Sequence, residues 1–316
     1  MHVFHGYQNV PQELRGAALA IGNFDGVHRG HQALLARARE RAAASSRHGP
    51  AHLAGAIVFE PHPREFFHPE RPHFRLTSLA QKLALFERHG LDLAVVLPFD
   101  ENLACMTPAD FVEKVLVAGL GVRHVVVGYD FFFGRSRGGS AEDMQRMGAE
   151  LGFGVSVIAP VAERGEVFSS SAIRAEIAQG DVKGAAEMLG HWWSVIGTVV
   201  GGFKRGTGMG FPTANISLPR STVLAHGIYA VFVHVGGERH LGAAYLGTRP
   251  TFDNGPAVLE IFLLDFDGNL YGREIEVAFV DFIRGDRRFE GMEALKVQIA
   301  ADCQRAREIL NEVPPG

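Results

Sequence analysis

Apolar and polar positions follow two different rhythms along this chain. From the N-terminus to residue 161, compact apolar runs take turns with segments of helical period. Ala17 to Ile21 is such a run, and Gln32 to Ala44 behind it is helix-like. AHLAGAIVFE (51–60) ends as a strand, and SLAQKLALFERHG (78–90) puts Leu79, Leu83 and Phe86 on one side of a helix. LDLAVVLPF (91–99) reads as a buried strand, and PADFVEKVLVAGLG (108–121) as a helix begun by Pro108. RHVVVGYDF (123–131) is a strand again. SAEDMQRMGAELG (140–152) is a helix with Ser140 as N-cap and Gly152 closing it, and FGVSVIAPV (153–161) is the last strand. Strands alternating with helices predict an α/β domain, doubly wound around a parallel sheet.

Near residue 190 the pattern changes and the helical period gives way to strand-like runs. Strand-like runs recur at 194–200, 228–235, 240–247, 258–264 and 273–283. Gly236-Gly237 and Asp267-Gly268 are hairpin signals. A small antiparallel β-barrel or sandwich is expected. Segment 291–312 carries Met292, Leu295, Ile299, Cys303, Ala306 and Leu310 at helical spacing, and is expected to pack on that barrel as a C-terminal helix. The change of rhythm places a domain boundary within 184–193, giving domains 1–185 and 186–316.

Composition narrows the function classes. The chain has 316 residues, 47% hydrophobic and 21% charged, with a net charge of −4. That charge gives no bulk attraction to nucleic acid or to an anionic membrane. No apolar run approaches the roughly 20 residues of a spanning helix, and MHVFHGYQNV has no secretory-signal pattern. Cys105 and Cys303 are the only cysteines, read as reduced thiols. The expected compartment is the cytoplasm, and the expected partners are small molecules.

Two stretches carry candidate chemistry. In IGNFDGVHRGH (21–31), His28 and His31 stand beside Gly26 and Gly30 where a strand hands over to a helix. Parallel sheets bind ligands at the carboxyl ends of their strands. A helix start offers N–H groups to phosphate, and two imidazoles there can donate to phosphoryl oxygens. A His-x-x-His metal site and plain loop polarity are the alternatives. Asn23 and Asp25 serve phosphate or Mg²⁺, or shape the turn. Further on, Ser169, Ser170, Ser171 and Arg174 lie at another predicted helix start, suited to the β- and γ-phosphates of ATP or to simple capping. The second stretch, GGFKRGTGMGFPTANI (201–216), is glycine-rich with Lys204 and Arg205. It reads as a phosphate flap or as a flexible hairpin tip. Glu260 is placed by alternation on one strand face with Phe262 and Leu264, a carboxylate among apolar neighbours, with an exposed edge glutamate as the alternative.

Residues 21–31 resemble the GxFDGxHxGH signature of the HxGH nucleotidyltransferases, in particular the flavin adenylyltransferases. VFEPHP (58–63), VGYDFFFG (127–134) and VFSSSAIRAEIAQGD (167–181) resemble that family's FxPHP, VGxDFxFG and SSTxIRxxLxxGD segments, in order. FPTAN (211–215), HGIYAV (226–231), LGTRPTF (246–252) and LEIFLLDFDGNLYG (259–272) resemble riboflavin kinase segments. Together, over residues 15–312, the chain resembles the prokaryotic bifunctional riboflavin kinase/FAD synthetases. The resemblance implies phosphorylation of riboflavin to FMN by the C-terminal domain, then adenylylation of FMN to FAD by an N-terminal nucleotidyltransferase domain. It implies Glu260 as the kinase base, and His28 and His31 as the adenylyl-transfer pair. ATP and its phosphates would be held by Gly22, Asn23, Asp25, Gly30, Gly128, Asp130, Ser169, Ser170, Ser171 and Arg174, and in the second domain by Lys204, Arg205, Gly210, Thr213 and Asn215. Thr213 and Asn215 would hold Mg²⁺, and Phe59, His62 and Pro63 the flavin. Departures from the family pattern are Ser171 for Thr, Phe262 for His, Thr207 for Arg and Tyr245-Leu246 for Asn-Ile. The rival activities are adenylylation of another phosphate, such as phosphopantetheine, and flavin binding without turnover.

Overall fold

The computed structural model describes residues 1–45, 52–163, 165–201, 213–247 and 258–314. They divide into two compact units: 1–73 with 77–169, and 74–76 with 170–316.

In the first unit the strands are β1 (His2–His5), β2 (Ala18–Ile21), β3 (Ala54–Glu60), β4 (Leu93–Pro98), β5 (His124–Gly128) and β6 (Gly154–Ile158). They form one sheet in the order β1-β4-β3-β2-β5-β6, and every pair is parallel. The helices are α1 (Arg29–Ser45), α2 (Pro63–Phe67), α3 (Leu79–Arg88), α4 (Glu101–Cys105), α5 (Pro108–Asp110) and α6 (Ala141–Leu151). A sheet covered on both faces needs apolar residues in both registers. Leu19, Ile57, Leu93, Val95 and Val125 face one core with Phe111, Leu116 and Met144. Ala20, Ala56, Val58, Ala94 and Val126 face the other with Leu35, Ala38 and Phe86.

The expected strands and helices are present, with local differences. Ser78 and Ser140 each make a capping box, and Gly152 ends α6 in the left-handed conformation. Pro108 does begin a helix, but after α5 the chain widens into a π-helical stretch, Phe111–Gly119, where Leu120 N–H bonds the Val115 carbonyl. The 123–131 run keeps its strand only to Gly128, since Tyr129 onward leaves the sheet. Strand β1 was not expected, because HVFH shows neither an apolar run nor alternation. It is an exposed edge strand held by backbone pairing to β4. A small ribbon, β7 (Ala162–Glu163) with β8 (Glu166–Val167), completes the unit.

The second unit opens with α7 (Ser170–Gln179) and α8 (Val182–Leu189), and α8 packs on the last strand. Its strands are β9 (Ser194–Thr198), β10 (Ala214–Ser217), β11 (Gly227–Val235), β12 (Glu238–Leu246), β13 (Val258–Leu263) and β14 (Glu274–Arg284), in the antiparallel order β10-β13-β12-β11-β14-β9. A bridge between Val200 and Asn215 brings the two ends of the order together, so the barrel is nearly closed. Gly236-Gly237 is a hairpin turn with both residues at positive φ. Asp267-Gly268 is not a hairpin: β13 pairs β10 and β12, while β14 pairs β11 and β9, so this segment crosses between non-neighbours. Turn chemistry reports a bend, and the register decides which strands pair.

The C-terminal helix α9 (Met292–Glu312) packs on the outer barrel face. Ala306, Ile309 and Leu310 meet Ala230, Phe232, Ala243 and Val280 there. Met292 does not join them and stands 57% exposed. The buried polar member of the helix is Asp302, which accepts from the Arg284 guanidinium at 2.7 and 2.9 Å. Cys105 and Cys303 are unbonded.

Candidate functional site

In the first unit the strand order reverses direction between β2 and β5, which is where an open α/β sheet forms its ligand crevice. The loop Gly22–His28 leaves β2 at that point, and Gly128 and Asp130 leave the neighbouring β5. Asp130 is exposed, and so is Tyr129 beside it.

The loop is fixed from below. Phe24 and Val27 hold positive φ, with Gly26 between them at +82°. Buried Asp25 accepts from Thr77 N–H at 3.1 Å, and Gly26 N–H donates to Thr77 Oγ1 at 3.0 Å. Asp25 therefore shapes the turn, the structural side of its two expected roles. Asn23 contributes its carbonyl, which accepts from Lys82 Nζ at 2.7 Å. Helix α1 starts at Arg29, so His28 occupies the N-cap position. Its Nδ1 accepts from His31 N–H at 3.4 Å, which leaves the ring proton on Nε2. The two imidazoles stack at 3.7 Å between ring centres, and Phe24 meets His31 edge-on. His31 Nδ1 is buried with no partner in the structure. A Cβ at Gly30 would sit 3.0 Å from the His28 ring, so the glycine lets the two histidines stack without crowding.

Burial sets the charge state of the pair. Desolvation lowers His28 to about 4, against the opposing pull of Asp25. His31 is pushed well below the ordinary imidazole range by burial, then by His28 and Lys82. Near neutral pH both rings are uncharged hydrogen-bond donors. His62 caps α2 by accepting from Arg64 N–H at 3.1 Å, and lies against His73. Burial and His73 lower it to about 4 as well. Pro63 begins α2, and Phe59 joins Phe66, Phe67 and Phe99 in an edge-to-face aromatic cluster at the carboxyl ends of β3 and β4. Ser169 is half-buried and follows Phe168, whose carbonyl faces Gly30.

In the second unit Ser170 and Ser171 open α7. Arg174 stands just beyond the first turn, its Nε donating to the Phe74 carbonyl at 2.6 Å. On the barrel, register builds a row across the strands. Asn215 faces Glu260, Glu260 faces Tyr245, Tyr245 faces Ile228, and Ile228 faces Arg284. Directly opposed residues project to the same sheet face, so Glu260 stands beside Asn215 through fold rather than sequence proximity. Asn215 is buried and its Nδ2 donates to the Thr213 carbonyl at 3.3 Å. Glu260 itself is exposed. Phe262 shares its face half-buried, and Leu264 lies past the strand end, so the apolar surroundings expected for the carboxylate are only partial. Nor is Glu260 at an edge, since β13 has neighbours on both sides. Tyr245 hydrogen-bonds Asp286, and burial with that carboxylate raises its phenol to about 12. Lys204, Arg205, Thr207 and Gly210 lie outside the described residues, as does 248–257.

Two residues that hold the first site were not singled out from sequence: Thr77 and Lys82. Lys82 had a legible signal, because it falls on the same helical stripe as Leu79, Leu83 and Phe86. Among the described residues no three His, Cys, Asp or Glu side chains gather as a metal-ligand set.

Comparison with known proteins matches residues 10–172 to an FAD synthetase family model and residues 189–310 to a riboflavin kinase family model. A bifunctional riboflavin kinase/FMN adenylyltransferase of Pseudomonas fluorescens is 42% identical over 310 residues, covering 98% of each chain. The protein of that name from Escherichia coli K12 is 39% identical, covering 98% of this chain and 97% of its own. Among solved structures, a chain titled macrolide-efflux protein from Streptococcus pneumoniae superposes with a TM-score of 0.85 at 27% identity, covering 96% of this chain and 98% of that one.

Proposed function

The chain belongs to the bifunctional riboflavin kinase/FMN adenylyltransferase family, and on that premise we propose how its residues divide the two reactions. It is an enzyme that phosphorylates riboflavin to FMN with ATP in its C-terminal part, and adenylylates FMN to FAD with a second ATP in its N-terminal part. The functional boundary is proposed at 185/186, a position that falls between the two family matches.

The observation that carries the kinase assignment is the register Asn215↔Glu260. A kinase acting on a hydroxyl needs a carboxylate to accept its proton, next to whatever holds the phosphates. Glu260 takes the proton of the ribityl 5′-hydroxyl, and Thr213 and Asn215 supply neutral oxygens towards the ATP phosphates. That donor set fits Mg²⁺, which prefers oxygen ligands shared with phosphate and water. When bound, the ion would neutralise charge on the transferred phosphoryl group. Lys204, Arg205 and Gly210 are assigned to the same phosphates from the sequence resemblance.

In the adenylylation, an oxygen of the FMN phosphate forms a bond to the α-phosphorus of ATP, and pyrophosphate leaves. The nucleophile is already anionic, so no strong base is needed. What the reaction needs is hydrogen-bond donation to oxygens that gain charge. His28 Nε2–H and the His31 ring meet that need as neutral donors at a helix start. Gly22, Asn23, Asp25, Gly30, Gly128 and Asp130 line or shape this ATP site. The resemblance assigns Ser169, Ser170, Ser171 and Arg174 to the phosphates. Phe59, His62 and Pro63, with the aromatic cluster beside them, are assigned to the flavin.

No helix among the described residues is long and apolar enough to cross a membrane, and a cytoplasmic location is proposed with small molecules as partners. The test is direct. With riboflavin, ATP and Mg²⁺, chromatography should show FMN accumulating first and FAD following. A chelator should stop FMN formation and added Mg²⁺ restore it. Supplied FMN left unconverted would move the first site to another phosphate acceptor, such as phosphopantetheine. Flavin binding with no product would overturn both assignments.

A further inference from the structure

Lysine is almost never fully buried unless its charge is matched. Lys82 is 4% exposed, on the inward face of α3, one turn before Phe86. Phe86 packs edge-on against Phe24, and Phe24 edge-on against His31. The first turn of α3, with Thr77 just ahead of it, is thus a template for the histidine loop. Thr77 fixes Asp25 and Gly26, while the Lys82 ammonium takes the Asn23 carbonyl at 2.7 Å.

That last bond has a geometric consequence. In a trans peptide the N–H points opposite to the C=O. Drawing the Asn23 carbonyl down to Lys82 therefore turns the Phe24 N–H away from Lys82. The ammonium also places a positive charge beneath the loop in a poorly solvated setting, where charge acts strongly. The charged and titratable groups around the His31 ring are His28 stacked on it from its own loop and Lys82 from α3. Asp25 acts on His28 and on His62, which pairs with His73 beside α2.

We propose that Lys82 is a positioning residue for adenylyl transfer, fixing the backbone of the phosphate-facing loop from beneath through the Asn23 carbonyl. It rests on the assignment of His28 and His31 to that reaction. Removing the positive charge should let His31 take up a proton more readily. In Lys82→Gln, which retains hydrogen-bonding capacity, kcat/KM for FMN adenylylation should fall on the order of 10- to 100-fold, the scale of a misplaced reacting group. Its acid limb should move to higher pH. Lys82→Arg should keep the limb at the wild-type position, and FMN formation from riboflavin should be unchanged in both variants. A Lys82→Gln limb that coincides with wild type, or a Lys82→Arg limb that moves equally, overturns the proposal. An NMR titration gives a second reading: His31 should take up its proton at higher pH in Lys82→Gln than in the unmodified protein, and coincident titrations would contradict the proposal. His28→Ala run alongside separates the two claims. Unimpaired FAD formation there removes the histidine assignment, whereas its loss beside a Lys82→Gln enzyme like wild type removes only the role of Lys82.

Discussion

The two units place their chemistry in opposite ways. In the first, the side chains proposed to act are close in sequence, and the fold's work is to desolvate them: His28 and His31 stack at a helix start, propped by Lys82 of a sequence-distant helix and by Thr77 just ahead of it. In the second, Asn215 and Glu260 are far apart in sequence, and the barrel's work is to bring them into register while leaving the carboxylate wet. The contrast follows the reactions. A phosphate nucleophile needs donors aimed at developing charge rather than a base, and burial makes these two imidazoles neutral donors. A hydroxyl nucleophile needs a base, and the barrel leaves the Glu260 carboxylate open to the incoming hydroxyl.

The sharpest break in this comparison comes from Glu260→Gln. It removes the proposed proton acceptor with little change in shape, so FMN formation should fall by about 10²- to 10⁴-fold, the usual worth of a positioned base. Conversion of supplied FMN to FAD should be untouched, and loss of both would mean misfolding. His28→Ala should do the reverse, costing FAD formation about 10²-fold, as loss of one preorganised donor does, while FMN formation continues. Steady-state assays on the two substrates score both variants.

Smaller effects concern stability. His28 has its pKa lowered to about 4 in the folded protein. An unfolded imidazole takes up a proton below about 6.5. Between those values the unfolded chain binds more protons, so the stability of the first unit should fall as pH drops from 6.5 towards 4. The His28 contribution is at most about 3 kcal/mol by the conversion of pKa shift to free energy, and His28→Gln should flatten the slope in denaturant titrations at pH 7 and pH 5. Thr77→Val strips acceptor and donor from beneath the loop and should cost about 1–3 kcal/mol, the penalty for a buried group left unpaired. Met292→Ala should change the melting temperature hardly at all, in contrast to Leu310→Ala in the packed face of α9.

Much of this was legible in the sequence, for physical reasons that vary by element. Strands such as Leu93–Pro98 announce themselves because burial on both faces demands a continuous apolar run. Capped helices such as Ala141–Leu151 announce their ends through Ser140 and Gly152. Strand β1 and strand β10 escaped, since HVFH is stabilised by a neighbour's backbone rather than by its own pattern, and FPTANIS reads first as a loop. Asp267-Gly268 misled for the same reason: pairing partners are a long-range property. The histidine pair was visible as a motif, but its neutrality was not, because it arises from burial beside Phe24 and from the charge of Lys82, both set by the fold. Glu260 was visible by resemblance, whereas its place beside Asn215 and Tyr245 depends on the strands that pair with β13.

The most direct test of the central claim, two separable chemistries in two units, is a mixing experiment. Glu260→Gln and His28→Ala proteins are each incubated with riboflavin, ATP and Mg²⁺, singly and together, and the flavins are separated by chromatography. Glu260→Gln alone should leave riboflavin unchanged, His28→Ala alone should stop at FMN, and the mixture should make FAD from FMN passed between molecules. A mixture that yields no FAD, or single variants that each lose both steps, would contradict the account.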